Sequence, residues 1–198
     1  MVFKKIVTNM NITRIYDIIM SIIYRRYFMI IRQEQPTDYD EVYELVKISF
    51  ATSTNEGEWD YLNEVRKKDT FIPELSLVAE NEDGKLIGQI VLYKTNITTS
   101  DNIYTELLLS PISVHPDFFR RGIARAMMME AFQIAKNMGY TSVFLCGEPD
   151  FYHKFGFKPS CEYGIFHIAD KTKNAEWCMA LELTPGTLAG KTGTINIQ

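Results

Sequence analysis

Ile112-Ser-Val-His-Pro-Asp-Phe-Phe-Arg-Arg-Gly-Ile-Ala-Arg-Ala-Met-Met-Met129 reads as a strand end, a tight basic turn and the start of a helix. Leu107, Leu108, Leu109, Ile112 and Val114 make the apolar run of a buried strand. Pro116 ends that run, because it has no ladder donor and drives its predecessor to extended geometry. Apolar residues then return at helical spacing, at Ile123, Met127, Phe132, Ile134, Ala135 and Met138. Gly139 stands where a helix C-cap belongs.

The turn has the chemistry of an anion site. The first turn of a helix carries unpartnered N–H groups and a partial positive charge. Gly122 and Ala124 leave the backbone open to close approach. Arg120, Arg121 and Arg125 add forked donors for phosphate oxygens. With the amides of Gly122, Ile123 and Ala124 they form a cradle for a diphosphate. The plain alternative is an ordinary helix start with solvated arginines.

The strand, turn and helix resemble the acetyl-CoA signature of the GNAT superfamily of N-acetyltransferases. That signature is a strand ending Val-His-Pro, then Gln/Arg-x-x-Gly-x-Gly/Ala at the head of a long helix. Here its six positions are Phe119, Arg120, Arg121, Gly122, Ile123 and Ala124, with Phe119 departing from the usual Gln or Arg. A second signature follows. Thr141–Cys146 reads as a strand and Gly147-Glu148-Pro149-Asp150 as a turn. Tyr152-His-Lys-Phe-Gly156-Phe157 then matches the family's Tyr-x-x-x-Gly-Phe. The resemblance runs from about Met29 to the C-terminus.

That resemblance implies an α/β domain with a mixed, strongly twisted central sheet of about six to seven strands and flanking helices. It implies acetyl-CoA as co-substrate, no metal, and direct acetyl transfer to a primary amine of a small molecule or peptide. Backbone contacts to the pantetheine then fall on Ile112, Ser113 and Val114, along a strand edge splayed open by a bulge at Ser110-Pro111. Tyr152 takes the family's general-acid position. The general base is not fixed by a motif. Glu106, beside the central strand, is the first candidate and Glu148 the second, each also readable as a solvated carboxylate.

Composition bounds the other classes. The 198 residues are 46% hydrophobic and 23% charged, values of an ordinary globular domain. A net charge of -4 argues against a general nucleic-acid binder. Cys146, Cys161 and Cys178 have no disulfide-framework spacing, and Cys146 and Cys178 read as small core residues in apolar strands. A reducing, cytoplasmic setting fits. Neither Cys161 with His167 nor Cys146 with His153 has companions at zinc spacing. Gly186-Thr-Leu-Ala-Gly190-Lys-Thr192 is one residue short of a P-loop and has no room for its helix.

The chain divides into an N-terminal extension over 1–28, a domain over 29–183 and a Gly/Thr-rich tail over 184–198 with a small hairpin. The extension holds Lys4, Lys5, Arg14, Arg25 and Arg26 against Asp17 alone. Its isoleucines fall at helical spacing, so a basic amphipathic helix is one reading, with contact to a membrane surface or a partner. Translation from Met29 is the preferred one. Within the domain, Asp38 with Glu41 reads as a helix-capping pair and a second helix lies near Trp59–Lys68. Asp83-Gly84 centres a hairpin. A monomer or a homodimer fits. A CoA-binding sensor without turnover is the competing function.

Overall fold

The computed structural model describes residues 29–51 and 57–197, so the expectations for the extension lie outside the described residues. β1 (Met29–Gln33) leads through a short turn at Pro36–Asp38 to α1 (Tyr39–Phe50) and α2 (Glu58–Val65). β2 (Ser76–Asn81), β3 (Leu86–Thr99) and β4 (Ile103–Val114) follow. α3 (Ile123–Asn137) crosses to β5 (Ser142–Cys146), which runs into the single turn of α4 (Pro149–Tyr152). β6 (Lys158–Pro159), β7 (Ile165–His167), β8 (Cys178–Glu182) and β9 (Gly193–Ile195) complete the chain. The sheet order is β1-β2-β3-β4-β5-β8-β6, and β9 joins both β3 and β7. β4 with β5, and β7 with β9, run parallel. The helical crossover through α3 is what a parallel β4–β5 pair requires.

The period of two along the central strands sorts the core into two layers. Leu107, Leu109, Val143 and Leu145 face α3, where Ile123, Met127, Met128, Ala131 and Ala135 meet them. Leu108 and Phe144 point the other way, onto Val42, Leu45 and Val46 of α1 and Leu62 and Val65 of α2. Each such side chain removed from water contributes roughly 1.5–3 kcal/mol before entropy is counted. So the apolar run 107–109 is buried on both faces, as its unbroken hydrophobicity requires.

Several local expectations shift. The hairpin centred on Asp83-Gly84 is lopsided, β2 having 6 residues and β3 14, so β3 runs on to Thr99. The tail does not form a hairpin of its own. β9 pairs with the far end of β3 at Ile97–Thr99, and Leu188 and Ile195 are fully buried. Asp38 is the N-cap of α1 as expected, but its carboxylate caps the preceding Pro36–Asp38 turn and not α1. Asp38 accepts from the Gln35 N–H at 2.7 Å, while Glu41 accepts from Leu86 N–H at 2.8 Å and so ties α1 to β3. The end of α3 matches its expected stop. Gly139 N–H donates to the Lys136 carbonyl and Tyr140 N–H to that of Ala135, the paired bonds of a Schellman cap. Among the described residues no helix is long and apolar enough to cross a membrane.

Candidate active site

The site begins where two parallel strands part. β4 and β5 are registered only at Leu107–Val143 and Leu108–Phe144. Just beyond, the β3–β4 register slips between Ile90 and Leu92, so that Ser110 and Pro111 together oppose Val91. This is the bulge expected at that pair. It turns the end of β4 away from β5 and leaves a cleft between them.

The ladder decides which groups face the cleft. His115 N–H donates to the Ile87 carbonyl at 2.9 Å. By the antiparallel alternation, Ser113 spends its backbone on β3 as well, while Ile112 and Val114 turn theirs to the open side. The Val114 carbonyl already accepts from Ser49 Oγ at 2.8 Å. Ser113 therefore offers a hydroxyl to the site, where the sequence had suggested a backbone contact. That Oγ is buried without a hydrogen-bond partner, although Ser113 lines the cavity wall. A buried orphan hydroxyl at a cavity wall suits a polar ligand.

The cavity has a volume of about 880 Å³ and draws on both faces of the sheet. One side is the mouth of α3. Gly122 holds φ +82° as the helix N-cap, and a side chain there would be conformationally strained. The helix ladder starts only at Ala126 N–H to Gly122 O, 3.0 Å, so the amides of Ile123, Ala124 and Arg125 have no helical acceptor. Arg120, Gly122, Ile123, Ala124 and Arg125 all line the cavity. Arg121 does not. Its guanidinium turns back to the Asp117 carbonyl at 2.9 Å and lies over the Phe118 ring, because the turn aims it off the helix mouth. Arg125 lies over the Phe155 ring, its centre 5.0 Å from the ring centroid.

Tyr152 forms the floor near the cleft. Its ring stands edge-on to Phe151 at 4.9 Å and to Phe157 at 5.7 Å. Gly147 makes that position available, since a Cβ there would lie 2.4 Å from the Tyr152 ring. Burial, then the charge of Glu58, pushes the phenol up to about 12. It is therefore a protonated donor throughout the neutral range.

The carboxylates rearrange the sequence reading. Glu106 does not line the cavity. It is 4% exposed, and its carboxylate accepts from Thr141 Oγ1 at 2.6 Å and from the N–H groups of Thr141 and Ser142. Lys191 Nζ lies 3.4 Å away. Such a group clamps the start of β5, and the assignment of Glu106 as base is withdrawn. Glu148 lines the cavity, at the N-cap of α4. Glu58, which the sequence did not single out, lines it too, from the first turn of α2. Burial raises its carboxyl above the ordinary range. Its only sequence signal was an acid directly after Gly57. Cys146 also departs from expectation. It is the exposed last residue of β5 and lines the cavity, because the strand emerges there into the cleft.

A family model described as an acetyltransferase (GNAT) domain matches residues 30–160. The chain belongs to the GNAT family. It is 26% identical over 137 residues to the uncharacterized N-acetyltransferase YhbS of Escherichia coli, covering 69% of this chain and 78% of that one. It is 25% identical over 158 residues to the uncharacterized N-acetyltransferase YjhQ of Escherichia coli, covering 78% and 85%. The crystal structure of the same YhbS in complex with CoA superposes with a TM-score of 0.76 at 22% identity, over 86% of this chain and 90% of that one. A GNAT family acetyltransferase from Brucella melitensis, in complex with acetyl-CoA, gives 0.68 at 23% identity, over 87% and 97%. These likenesses show the GNAT fold for this chain.

Proposed function

We propose that this GNAT protein uses acetyl-CoA to acetylate a primary amine of a small molecule or peptide, by direct attack of the amine. One observation carries the proposal. The open edge of Ile112 and Val114, the amide mouth of α3, Tyr152 and Glu58 meet in a single cavity. The residues fit the thioester substrate. The diphosphate has the Gly122–Arg125 amides with Arg120 and Arg125. The pantetheine amides have the β4 edge and the orphan Ser113 hydroxyl. Acetyl-CoA supplies the acetyl group and leaves as a thiol.

The protein supplies proton management and position. Glu58 takes a proton from the incoming ammonium, which at a pKa of about 10.4 is mostly charged at neutral pH. A carboxyl raised by burial is a stronger base for that task. Tyr152 holds its proton until the sulfur needs one. The negative charge of Glu58 beside aromatic and apolar walls favours a cationic acceptor.

A CoA-release screen over amino acids, polyamines, aminoglycosides and peptides identifies the acceptor. Binding of acetyl-CoA without thiol release from any amine would make the protein a sensor instead. With an acceptor in hand, Tyr152→Phe is expected to slow thiol release about 10²-fold while acetyl-CoA affinity stays nearly the same. Gly122→Glu should give no calorimetric heat at acetyl-CoA concentrations that saturate the wild type. The new side chain adds about 1–2 kcal/mol of left-handed backbone cost and points a carboxylate at the phosphates.

A further inference from the structure

Acetyl transfer leaves one cysteine pair unused, with one member in the cavity wall and the other buried behind it. Cys146 ends β5 and stands directly opposite Cys178, which opens β8. The next pair, Gly147 and Trp177, is joined by Gly147 N–H to the Trp177 carbonyl at 2.9 Å. Cys146 and Cys178 are therefore a non-hydrogen-bonded pair, the class in which facing side chains share a face and Cα atoms lie about 4.5 Å apart. That spacing is within the range a disulfide spans. The facing Cys178 thiol and burial push the Cys146 thiol up, so its proton must leave before it can attack. Ser160 Oγ donates to Cys178 Sγ at 3.3 Å. Cys146 is exposed in the cavity wall and Cys178 is fully buried.

We propose that Cys146 and Cys178 form a dithiol site that exchanges with CoA disulfide: Cys146 captures one CoA as a mixed disulfide and Cys178 resolves it. The choice of CoA rests on the acetyl-CoA reading above, since the same cavity would bring a CoA sulfur to the cleft beside Tyr152 and Cys146. The dithiol itself rests on the strand register. The steps balance. A proton leaves the pair, and the Cys146 thiolate attacks one sulfur of CoA disulfide, whose S–S bond breaks. One CoA thiolate departs and is protonated. The Cys178 thiolate then attacks Cys146 Sγ, forms the Cys146–Cys178 bond and expels the second CoA. Two protein thiols are oxidised and one CoA disulfide is reduced to two CoA thiols. Both thiols sit where this order requires. The accessible one meets the ligand, and the buried one faces it across the ladder with a hydrogen bond from Ser160 Oγ.

The test uses the full, reduced chain under anaerobic conditions, with CoA disulfide and glutathione disulfide as the two probes. With CoA disulfide, the thiol count in denaturant is expected to fall from the three cysteines of the sequence to one. Peptide mapping should place the new bond between Cys146 and Cys178, and leave Cys161 free. Cys178→Ala should stop at one CoA per chain on Cys146, and Cys161→Ser should behave as wild type. Excess acetyl-CoA should slow the reaction, and glutathione disulfide should react at least tenfold more slowly. A thiol count that stays at three, a CoA adduct on Cys161, or equal rates for both disulfides overturns the proposal. The wild-type thiol count and map decide the matter even if the Cys178 variant does not fold. Acetyl-CoA calorimetry on the same protein separates the two readings. Binding with an unreactive pair overturns the dithiol site alone, whereas absence of binding overturns the choice of CoA and the acetyltransferase reading with it.

Discussion

Glu58→Gln is expected to lower kcat about 10²–10⁴-fold for any amine the wild type acetylates, with acetyl-CoA affinity unchanged. The substitution keeps the size of the side chain and removes only its capacity to take a proton. Glu58 lies in the first turn of α2, in the cavity wall that Ser49, Phe50 and Cys146 share. None of these belongs to the α3 mouth, so cofactor binding has no reason to change. The pH profile gives the sharper readout. Burial raises the Glu58 carboxyl, and the deprotonated form is the base. Wild-type kcat/KM therefore climbs as pH rises through that raised value, and the limb disappears in the Gln variant. Tyr152 adds no falling limb near neutrality, because its phenol ionises only at about 12. Steady-state thiol release across pH checks both points. A variant with wild-type kcat and the same rising limb would dismiss Glu58 and leave the amine to lose its proton to water.

The contrast between Glu58 and Glu106 shows where sequence reading reaches its limit. The α3 mouth was legible because its parts are contiguous. A strand end, a proline, a glycine and a helix face all lie within eighteen residues, and local sterics set their geometry. The same holds for the bulge at Ser110-Pro111 and for the Gly139 cap. The base was not legible in this way. Glu106 and Glu58 are both acids near apolar residues, and only the packing of α2 against the sheet separates them. Glu106 is held by Thr141, Ser142 and Lys191, the last of which is 85 residues away in sequence. Cys146 misled for a related reason. Its neighbours are core residues, but the splay from β4 exposes the strand's last position. Arg121 shows the finer limit, for adjacent arginines in one turn point in different directions. The tail was expected to pair with itself, and β9 finds another partner, since Gly-Thr-Ile forms a strand only once the edge of β3 is there to pair with.

Glu34→Ala is expected to destabilise the fold by about 3–5 kcal/mol, because it strands a buried guanidinium. Arg66 follows directly on α2, and its side chain is 5% exposed against 1% for Glu34. Arg66 bonds both oxygens of the Glu34 carboxylate, Ser76 Oγ donates to it at 2.7 Å, and the Arg66 guanidinium lies over the Tyr39 ring. The network thus joins the segment after β1, the start of β2, α1 and the end of α2. Removing the carboxylate leaves the charge with Asn63 Oδ1, a neutral acceptor at 2.6 Å. For a chain of this length the loss corresponds to a Tm lower by roughly 6–20 °C, at about 2–4 °C per kcal/mol. The exposed Lys67–Glu64 pair on the same helix end is the control, and Lys67→Ala should leave Tm unchanged. Replacing both partners, Glu34→Leu with Arg66→Met, should recover much of the loss, since an apolar pair carries no stranded charge. The same network anchors the helix that carries Glu58. Glu34→Ala should therefore also lower kcat at temperatures where the variant is still folded, and the double replacement should restore it in step with Tm. A Glu34→Ala protein as stable as the Lys67 control would show that water reaches Arg66, and that apolar contacts such as those of Leu62 and Val65 hold α2 without the ion pair.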